Sequence, residues 1–340
     1  MFPMRIGVLG LGFMGSTHLQ ALANIPGAQV AAVMDTDERR LSGDLGGIQG
    51  NLGGPGRRMD FSGAARYRTI EEILADRNLD AVDICLPTHL HATAAIQALR
   101  AGKHVLVEKP MALDGGGCDA LCEEATRSGR VLMAAQVVRF IPAYQELIRL
   151  VKSGEIGAVR WAMFRRRTSV PTWGPWEFDK SKSGGGIFDL LIHDVDMALH
   201  LFGTPEAVRA TGYEDMPRGI DMITGELRFP ACGSVTVTGG WHHVGEYPFS
   251  MEYTVVAEGG VVEFSSAGRP PMLYRANGSK ETLRAEGPDC YQAEIEYFLR
   301  CAETGAQPTL CPPAESAEAV RITRRMVEAR ENQTTAAPAR

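Results

Sequence analysis

Three glycines near the start of the chain constrain its fold more than any other feature. Gly10, Gly12 and Gly15 directly follow the apolar segment Arg5 to Leu9, and residues 16–24 continue as a helical pattern. The first two glycines permit a tight turn and a close approach of the backbone to a pyrophosphate, and the third allows the helix to pack on the strand. The helix N-terminus offers N–H groups to the phosphates. This pattern predicts a βαβ unit that binds a dinucleotide.

Apolar segments and helical patterns go on alternating as far as Ala135. Such an order is typical of a parallel, doubly wound sheet with helices on both faces. After Arg5 to Leu9, the predicted strands are Gln29 to Met34, Ala81 to Leu86, His104 to Val107 and Val131 to Ala135. We therefore predict an α/β Rossmann domain over residues 1–135.

The acidic residue after the second predicted strand indicates which dinucleotide binds. Asp35 can accept hydrogen bonds from the adenosine ribose hydroxyls, and its charge would repel a 2'-phosphate. One turn later, Arg39 or Arg40 could attract such a phosphate or stack on adenine. We predict NAD as the cofactor, with NADP as the alternative, and take Arg39 as a cofactor contact.

Further cofactor contacts follow from the expected sheet. Ligands of doubly wound sheets bind in the crevice at the carboxyl ends of the strands. The residues predicted to line that crevice, besides the three glycines and Asp35, are Phe13, Met14, Leu86, Pro87, Thr88, His91, Glu108, Lys109 and Gln136.

The pattern changes after Gln136. A long helical pattern over residues 185–202 precedes alternating segments at Gly219 to Phe229, Gly233 to Trp241 and Ser250 to Ala257, which indicate an antiparallel sheet. Two helices follow, Asp289 to Glu303 and Pro313 to Ala329. We predict a second, α+β domain over residues 136–331 that binds substrate and forms oligomers, and a disordered polar tail over 332–340.

One segment of the first domain does not fit the alternation. From Gly43 to Gly63 the chain is rich in glycine and has neither helical nor strand periodicity. A loop of this length in a compact domain is usually functional or disordered, and the sequence leaves both interpretations open.

Four motifs together resemble one known family. They are GLGFMG at Gly10 to Gly15, LPTHLH at Leu86 to His91, EKP from Glu108, and GGGIFDLLIHDVD at Gly184 to Asp196. The chain resembles the Gfo/Idh/MocA group of glucose-fructose oxidoreductases and inositol dehydrogenases over nearly its whole length. The resemblance implies a Rossmann domain followed by an open-faced, mainly antiparallel sheet, with Lys109, Asp189 and His193 at the catalytic positions.

The chemistry of an alcohol oxidation agrees with this assignment. It needs a base for the hydroxyl proton and a cation for the developing oxyanion. His193 titrates near neutral pH and suits the first role, and Lys109 suits the second. Asp189, four residues before His193, could contact substrate or tune the local charge. The alternative is that His193 and Asp189 are ordinary polar residues of a helix.

Candidate substrate contacts are less specific. Trp176 could stack on a sugar ring, and Arg139 and Arg167 could hold a substrate anion, together with contacts from Lys109, Asp189 and His193. Core packing of the tryptophan and ion pairing of the arginines are equally compatible with the sequence. No motif demands a metal site, and none is predicted.

Composition limits the partners and the compartment. The net charge of -6 gives no basic field for nucleic acid. No apolar run reaches the ~20 residues that a membrane span requires. Because there is no such run and no signal-peptide pattern at the start, we expect a cytoplasmic protein. Seven cysteines, an odd number without a CxxC pair, favour reduced thiols. An open sheet face would be covered by a second copy of the chain, so we expect a homodimer or homotetramer.

The function predicted from the motifs and their chemistry is reversible hydride transfer between nicotinamide C4 and a secondary alcohol or hemiacetal carbon. The family resemblance implies that the substrate is a sugar, a polyol or a sugar derivative. Two alternatives remain. One is an enzyme that retains NAD and uses transient oxidation for epimerisation, elimination or glycoside cleavage. The other is a regulator that senses the dinucleotide without catalysis.

Overall fold

The computed structural model describes residues 4–48, 50, 56–171, 174–243 and 245–335. Its first sheet contains β1 (Met4–Leu9), β2 (Ala28–Met34), β3 (Ala65–Tyr67), β4 (Ala81–Ile84), β5 (His104–Glu108) and β6 (Leu132–Ala135). These strands lie in the order β3-β2-β1-β4-β5-β6, and every neighbouring pair is parallel. The predicted Rossmann fold is confirmed.

Five helices connect these strands: α1 (Phe13–Leu22), α2 (Glu38–Leu41), α3 (Ile70–Ala75), α4 (His91–Arg100) and α5 (Gly115–Ser128). Side chains cap some of them, as at α3, where Thr69 and Glu72 form a reciprocal capping box. Helix α1 begins differently, because its N-cap residue is Gly12, which provides no side-chain cap. The N–H groups at the start of α1 are therefore not capped by a side chain of Gly12, which leaves them for a ligand.

The second sheet has eight strands in the order β14-β13-β12-β11-β7-β10-β9-β8. They are β7 (Val159–Thr168), β8 (Ala207–Asp215), β9 (Ile220–Phe229), β10 (Gly233–His242), β11 (Ser250–Ala257), β12 (Gly260–Ser265), β13 (Arg269–Arg275) and β14 (Lys280–Thr282). Strands β7 and β10 pair in parallel, and the other neighbouring pairs are antiparallel. The expected second domain is confirmed as a mainly antiparallel, mixed sheet.

Helices cover one face of this sheet. They include α8 (Ile192–Phe202) and α10 (Pro313–Thr335), while α6 (Pro142–Lys152), α7 (Lys180–Ser183) and α9 (Cys290–Thr304) complete the chain. Along β7, the side chains of Ala162 and Phe164 are buried on the covered face, whereas Trp161 on the other face is 36% exposed. The alternation of the strands thus separates a packed face from an open one.

The C-terminal helices also pack on the first domain. Ile295 and Phe298 of α9 lie in the same apolar core as Ile6 and Leu106 of the Rossmann sheet. The two sheets are therefore joined by helices that come from the end of the chain.

Helix α10 corrects the predicted tail. The helix extends past Ala329 to Thr335, so residues 332–335 of the predicted tail are helical. Residues 336–340 lie outside the described part of the chain. Among the described residues, none of the helices is long and apolar enough to cross a bilayer.

The glycine-rich segment is described except for residues 49 and 51–55. Leu45 and Phe61 are buried in the core of the Rossmann domain, and a bridge joins Asp44 to Arg58. Disorder is therefore the wrong interpretation for the described part of this segment, since buried apolar side chains hold both of its ends.

Candidate active site

A cavity of about 780 Å³ lies at the carboxyl ends of β1, β2, β4 and β5. This is where the strand order reverses on either side of β1, the place at which doubly wound sheets bind ligands. Most of the predicted cofactor contacts line it: Gly10, Gly12, Phe13, Met14, Asp35, Leu86, Pro87, Thr88, His91, Glu108 and Lys109. Gly47 and Ile48 of the glycine-rich segment line it as well.

The glycine turn closes tightly below the cavity. Gly10 has φ of +89°, and a Cβ there would lie 2.6 Å from the carbonyl oxygen of Cys85. A Cβ on Gly15 would lie 1.9 Å from the carbonyl oxygen of Gly10. Gly15 is not among the cavity residues, so its hydrogen side chain serves helix–strand packing, the third glycine's role in a dinucleotide turn.

Asp35 ties the end of β2 to the glycine turn. Its carboxylate accepts hydrogen bonds from the N–H of Leu11 at 2.7 Å and of Asp37 at 2.9 Å. The guanidinium of Arg40 lies 3.5 Å away and lines the cavity. Arg39 instead pairs with Asp44 at 3.3 Å on the surface. The structure thus brings Arg40, rather than the predicted Arg39, to the cofactor cavity, because adjacent residues of a helix point in different directions.

The ε-amino group of Lys109 meets Asp189 at the edge of the cavity. Its nitrogen donates to the Asp189 carbonyl oxygen at 2.6 Å and lies 3.3 Å from a carboxylate oxygen. The other carboxylate oxygen of Asp189 accepts a hydrogen bond from the Trp241 indole at 3.0 Å. Asp189 belongs to a π-helical turn, Ile187–Leu191, that runs into α8. Such turns are frequent at functional sites.

His193 lies in the first turn of α8. It lines a smaller pocket of about 90 Å³ together with Lys109, Asp189 and Arg166. Burial, and then the positive charges of Lys109 and Arg166, lower the pKa of His193 well below its ordinary value. The ring is therefore neutral near pH 7, and its buried Nδ1 atom lacks a hydrogen-bond partner among the described residues. A neutral imidazole can accept a proton.

His91 holds two loops of the site together. Its ring nitrogens lie 2.7 Å from the carbonyl oxygen of Leu86 and 2.8 Å from that of Pro110. The ring is buried, and burial lowers its pKa. The neutral ring has one N–H, so it donates to one of these two carbonyl oxygens and only lies against the other; His91 thereby contacts both the segment after β4 and the segment that follows Lys109.

A buried ionic cluster supports the same strand end. The ring of His18 lies 2.9 Å from Asp83 and 3.2 Å from Glu108. Burial opposes protonation of His18, but Asp83 raises its pKa well above the ordinary value. Glu108 accepts a hydrogen bond from the Lys109 N–H at 3.0 Å. Sequence reasoning missed His18 and Asp83, which are 65 residues apart and carry no local motif.

Three predicted contacts lie away from both cavities. Arg139 is 4% exposed and makes a bidentate pair with Asp196 at 2.7 Å. Arg167 bonds to Glu252 at 2.9 Å on the open face of the second sheet. Gln136 is buried outside the residues that line either cavity. The arginine that reaches the smaller pocket is Arg166, because neighbouring side chains of a strand point to opposite faces.

Two family models match the chain. One, described as "Oxidoreductase family, NAD-binding Rossmann fold", matches residues 4–136, and the Gfo/Idh/MocA C-terminal domain matches residues 144–263. An uncharacterised oxidoreductase, ORF334 of Rhizobium meliloti, is 34% identical over 323 residues, which are 89% of this chain and 90% of that protein.

The chain belongs to the Gfo/Idh/MocA oxidoreductase family.

Other relatives have named activities. D-xylose 1-dehydrogenase (NADP(+)) 2 of Haloferax volcanii is 28% identical over 90% of this chain and 91% of its own. The scyllo-inositol 2-dehydrogenase (NAD(+)) of Bacillus subtilis is 28% identical over 90% of this chain and 88% of its own. Among solved structures, UDP-N-acetylglucosamine 3-dehydrogenase GnnA from Acidithiobacillus ferrooxidans superposes with a TM-score of 0.79 at 26% identity, covering 98% and 99% of the two chains.

The site fits the dinucleotide that the Gfo/Idh/MocA family implies. The uncapped start of α1, the glycine turn and the acidic end of β2 all face one cavity. Trp176 lines the same cavity. Lys109, Asp189 and His193, which the family resemblance selects, lie together where this cavity meets the smaller pocket.

Glu177 is a cavity residue that the sequence did not indicate. It is a single acidic residue in a short turn, and no spacing pattern distinguishes it from a surface glutamate.

Proposed function

We propose that this protein catalyses reversible hydride transfer between a nicotinamide dinucleotide and a secondary alcohol or hemiacetal carbon of a sugar or polyol. The observation that carries the proposal is the meeting of Lys109, Asp189 and His193 at one end of the dinucleotide cavity. The named relatives act on a pentose and an inositol, which supports this substrate class. The bound dinucleotide supplies the hydride acceptor for oxidation or the donor for reduction.

Lys109 stabilises the reacting oxygen. Asp189 holds the ε-amino group of Lys109 by its carbonyl and carboxylate oxygens. An ammonium group has three N–H bonds, so one remains for the substrate oxygen. That oxygen gains negative charge as its proton leaves, and a prepositioned cation stabilises this charge. Trp241 fixes the orientation of Asp189 and thereby that of Lys109.

His193 moves the proton. In the oxidation direction its neutral imidazole accepts the proton of the substrate hydroxyl, and in the reduction direction the imidazolium returns it. Burial, and then the positive charges of Lys109 and Arg166, lower the pKa of His193 and keep the ring neutral before substrate binds. Over the neutral pH range His193 can therefore accept the substrate proton without first losing a proton of its own.

For the cofactor we propose NAD in preference to NADP. Asp35 presents a carboxylate at the part of the cavity next to the glycine turn, and this charge disfavours a 2'-phosphate. Arg40 lies beside it and would partly offset this repulsion. We therefore expect a measurable but incomplete preference for NAD.

The test is an absorbance assay of reduced nicotinamide with NAD and NADP over a panel of inositols, aldoses, sugar acids and sugar derivatives. We expect turnover of at least one compound. Lys109→Ala and His193→Ala should each lower kcat/KM by about 10²–10⁴-fold, because each removes a group that acts on the reacting oxygen or its proton.

Lys152→Ala, a change of an exposed lysine on α6, is the matched control and should behave as wild type. Binding of NADH by fluorescence shows whether each variant keeps its cofactor site. Wild-type protein that binds NADH and oxidises no member of the panel would contradict a dehydrogenase. It would favour an enzyme that retains its cofactor or a dinucleotide sensor.

We also propose that two copies of the chain pair through the open face of the second sheet. Trp161 on β7 and Tyr274 on β13 are 36% and 38% exposed there, and Met163 is only partly buried. Pairing would remove this surface from water. Sedimentation should give a dimer or a tetramer, and Trp161→Glu should shift it toward monomer. Seven free cysteines are compatible with the cytoplasmic location that we propose.

A further inference from the structure

Glu177 lies in the wall of the main cavity, on the side formed by the second domain. It belongs to a short 3₁₀ turn, Pro175–Phe178, which precedes α7. The residue is 1% exposed, yet it lines the cavity together with Trp176, Lys109 and Asp189. Its carboxyl group is thus removed from bulk water but adjacent to the space that a ligand would fill.

The backbone of Glu177 is held in place, while one oxygen of its carboxyl group has no hydrogen-bond partner among the described residues. The N–H donates to the carbonyl oxygen of Gly174 at 3.3 Å, and the carbonyl oxygen accepts from the Ser183 hydroxyl at 2.7 Å. The carboxyl atom Oε1 is buried without a hydrogen-bond partner among the described residues. Buried polar atoms in native proteins are nearly always bonded, so this atom calls for a partner from a ligand.

The charges around Glu177 decide which ligand group suits it. Burial, and next the Asp189 carboxylate, raise the pKa of Glu177 to about 9, against the opposing effect of the Lys109 cation. On the neighbouring α7, Asp179 and Lys182 pair with each other at 3.3 Å and remain partly exposed. Near neutral pH the side chain is therefore an uncharged carboxylic acid, which has one O–H donor and an acceptor oxygen.

A hydroxyl group of a polyol has the matching pair of functions, since it both donates and accepts. Trp176, the residue before Glu177, adds an apolar surface of the kind that packs against a sugar ring. The glycine turn and Asp35, where the dinucleotide phosphates and ribose would bind, come from the first domain instead.

We propose that Glu177 binds a substrate hydroxyl adjacent to the reacting carbon and selects sugars or polyols that carry a hydroxyl at that position. This inference rests on the proposed dehydrogenase function and adds a specificity-determining contact to the three residues at the reacting centre. Asp189, in turn, is the acidic side chain that contacts Lys109, at 3.3 Å. The two acidic residues thus have different roles.

The test compares Glu177→Ala and Glu177→Gln with wild type on the best substrate from the panel. Glu177→Ala should raise the substrate KM by roughly 10–100-fold, as expected when a buried hydrogen bond is lost. The Kd for NADH should change by less than about threefold. Glu177→Gln keeps a donor and an acceptor in the same shape, so its KM at neutral pH should stay within about threefold of wild type.

A pH profile separates the carboxylic acid from a merely structural side chain. In wild type, the substrate KM should rise as the pH passes about 9, because an ionised Glu177 loses its donor and adds a negative charge next to Asp189. Glu177→Gln cannot ionise and should not show this rise. Glu286→Gln, a change of an exposed glutamate in the loop before α9, is the matched control and should keep the wild-type profile.

The possible outcomes are distinguishable. Unchanged substrate KM in Glu177→Ala, in an enzyme that turns over, overturns this inference and leaves the proposed function intact. A rise in the NADH Kd equal to the rise in KM also overturns it, because Glu177 would then contact the nicotinamide. Absence of turnover in wild type refutes the proposed function and this inference with it. A retained alkaline rise in Glu177→Gln assigns that titration to another group and refutes the neutral-acid role.

Discussion

Replacing Arg139 by leucine separates a structural arginine from a substrate-binding one. In the structure its guanidinium makes a bidentate pair with Asp196, both contacts being 2.7 Å. It also donates to the carbonyl oxygen of Leu310 at 2.8 Å and to Glu315 at 2.7 Å. Arg139 and Asp196 are 4% and 0% exposed, so leucine would leave a buried carboxylate without its counter-ion.

The expected loss of stability is large. Removal of one partner from a buried ion pair costs about 3–5 kcal/mol, because the remaining charge has neither water nor a partner. For a domain of this size, that corresponds to a fall in Tm of roughly 6–20 °C. The double variant Arg139→Met with Asp196→Leu should recover part of the loss, since both charges are then removed together.

Urea denaturation at constant pH measures this effect, and steady-state kinetics below the transition gives the second readout. Arg149→Leu is the control, because Arg149 is half-exposed and its pairs with Glu146 and Glu155 contribute at most about 1 kcal/mol. The substrate KM of folded Arg139→Leu should be unchanged. A loss of stability below about 1 kcal/mol together with a raised substrate KM would refute the structural role. It would support the alternative hypothesis that Arg139 binds substrate.

Three further predictions concern the cofactor and the proton transfer. Gly15→Ala should weaken NADH binding by at least about tenfold, because its Cβ would meet the Gly10 carbonyl oxygen at 1.9 Å; wild-type affinity in a fluorescence titration would contradict this packing argument. Asp35→Asn should raise the kcat/KM ratio of NADP to NAD by about tenfold or more, since it removes the charge that repels a 2'-phosphate; an unaltered ratio would exclude that role. For His193 the lowered pKa keeps the ring neutral in mildly acidic solution, so kcat/KM for oxidation should not fall near the ordinary imidazole pKa of about 6.5; an acidic limb centred there that is absent in His193→Ala would show that the pKa of His193 is not lowered.

The first domain could be predicted well from the sequence because its signals are local. The glycine spacing, the runs of doubly buried strand residues and the helical periods each involve residues close together in the chain, and the parallel sheet follows from their order. Strand β3, which has only three residues, is too short for periodicity to reveal. Strand β7 was also missed, because Arg165, Arg166 and Arg167 interrupt its apolar alternation.

The reacting centre was predicted in part, and by resemblance rather than by periodicity. The motifs select Lys109, Asp189 and His193, and the structure places them around one junction of two cavities, although their catalytic roles stay predictions. A helical spacing of four residues predicted that Asp189 and His193 share one face. Asp189 lies in the π-helical turn Ile187–Leu191, contacts Lys109, and lines the smaller pocket together with His193.

What the sequence determined by itself is the class of fold, the place of the dinucleotide turn and the family. What only the tertiary structure decided is which charged side chains are available to a ligand. Arg139 pairs with Asp196, 57 residues away, and Arg166, which the pairing of β7 places beside the smaller pocket, pairs with Asp194. Glu177 is a neutral acid because burial and the nearby Asp189 carboxylate raise its pKa. Burial and pairing of charges depend on residues that are distant in the chain. These interactions, rather than residue type alone, determine whether a side chain is ionised and which groups it can contact.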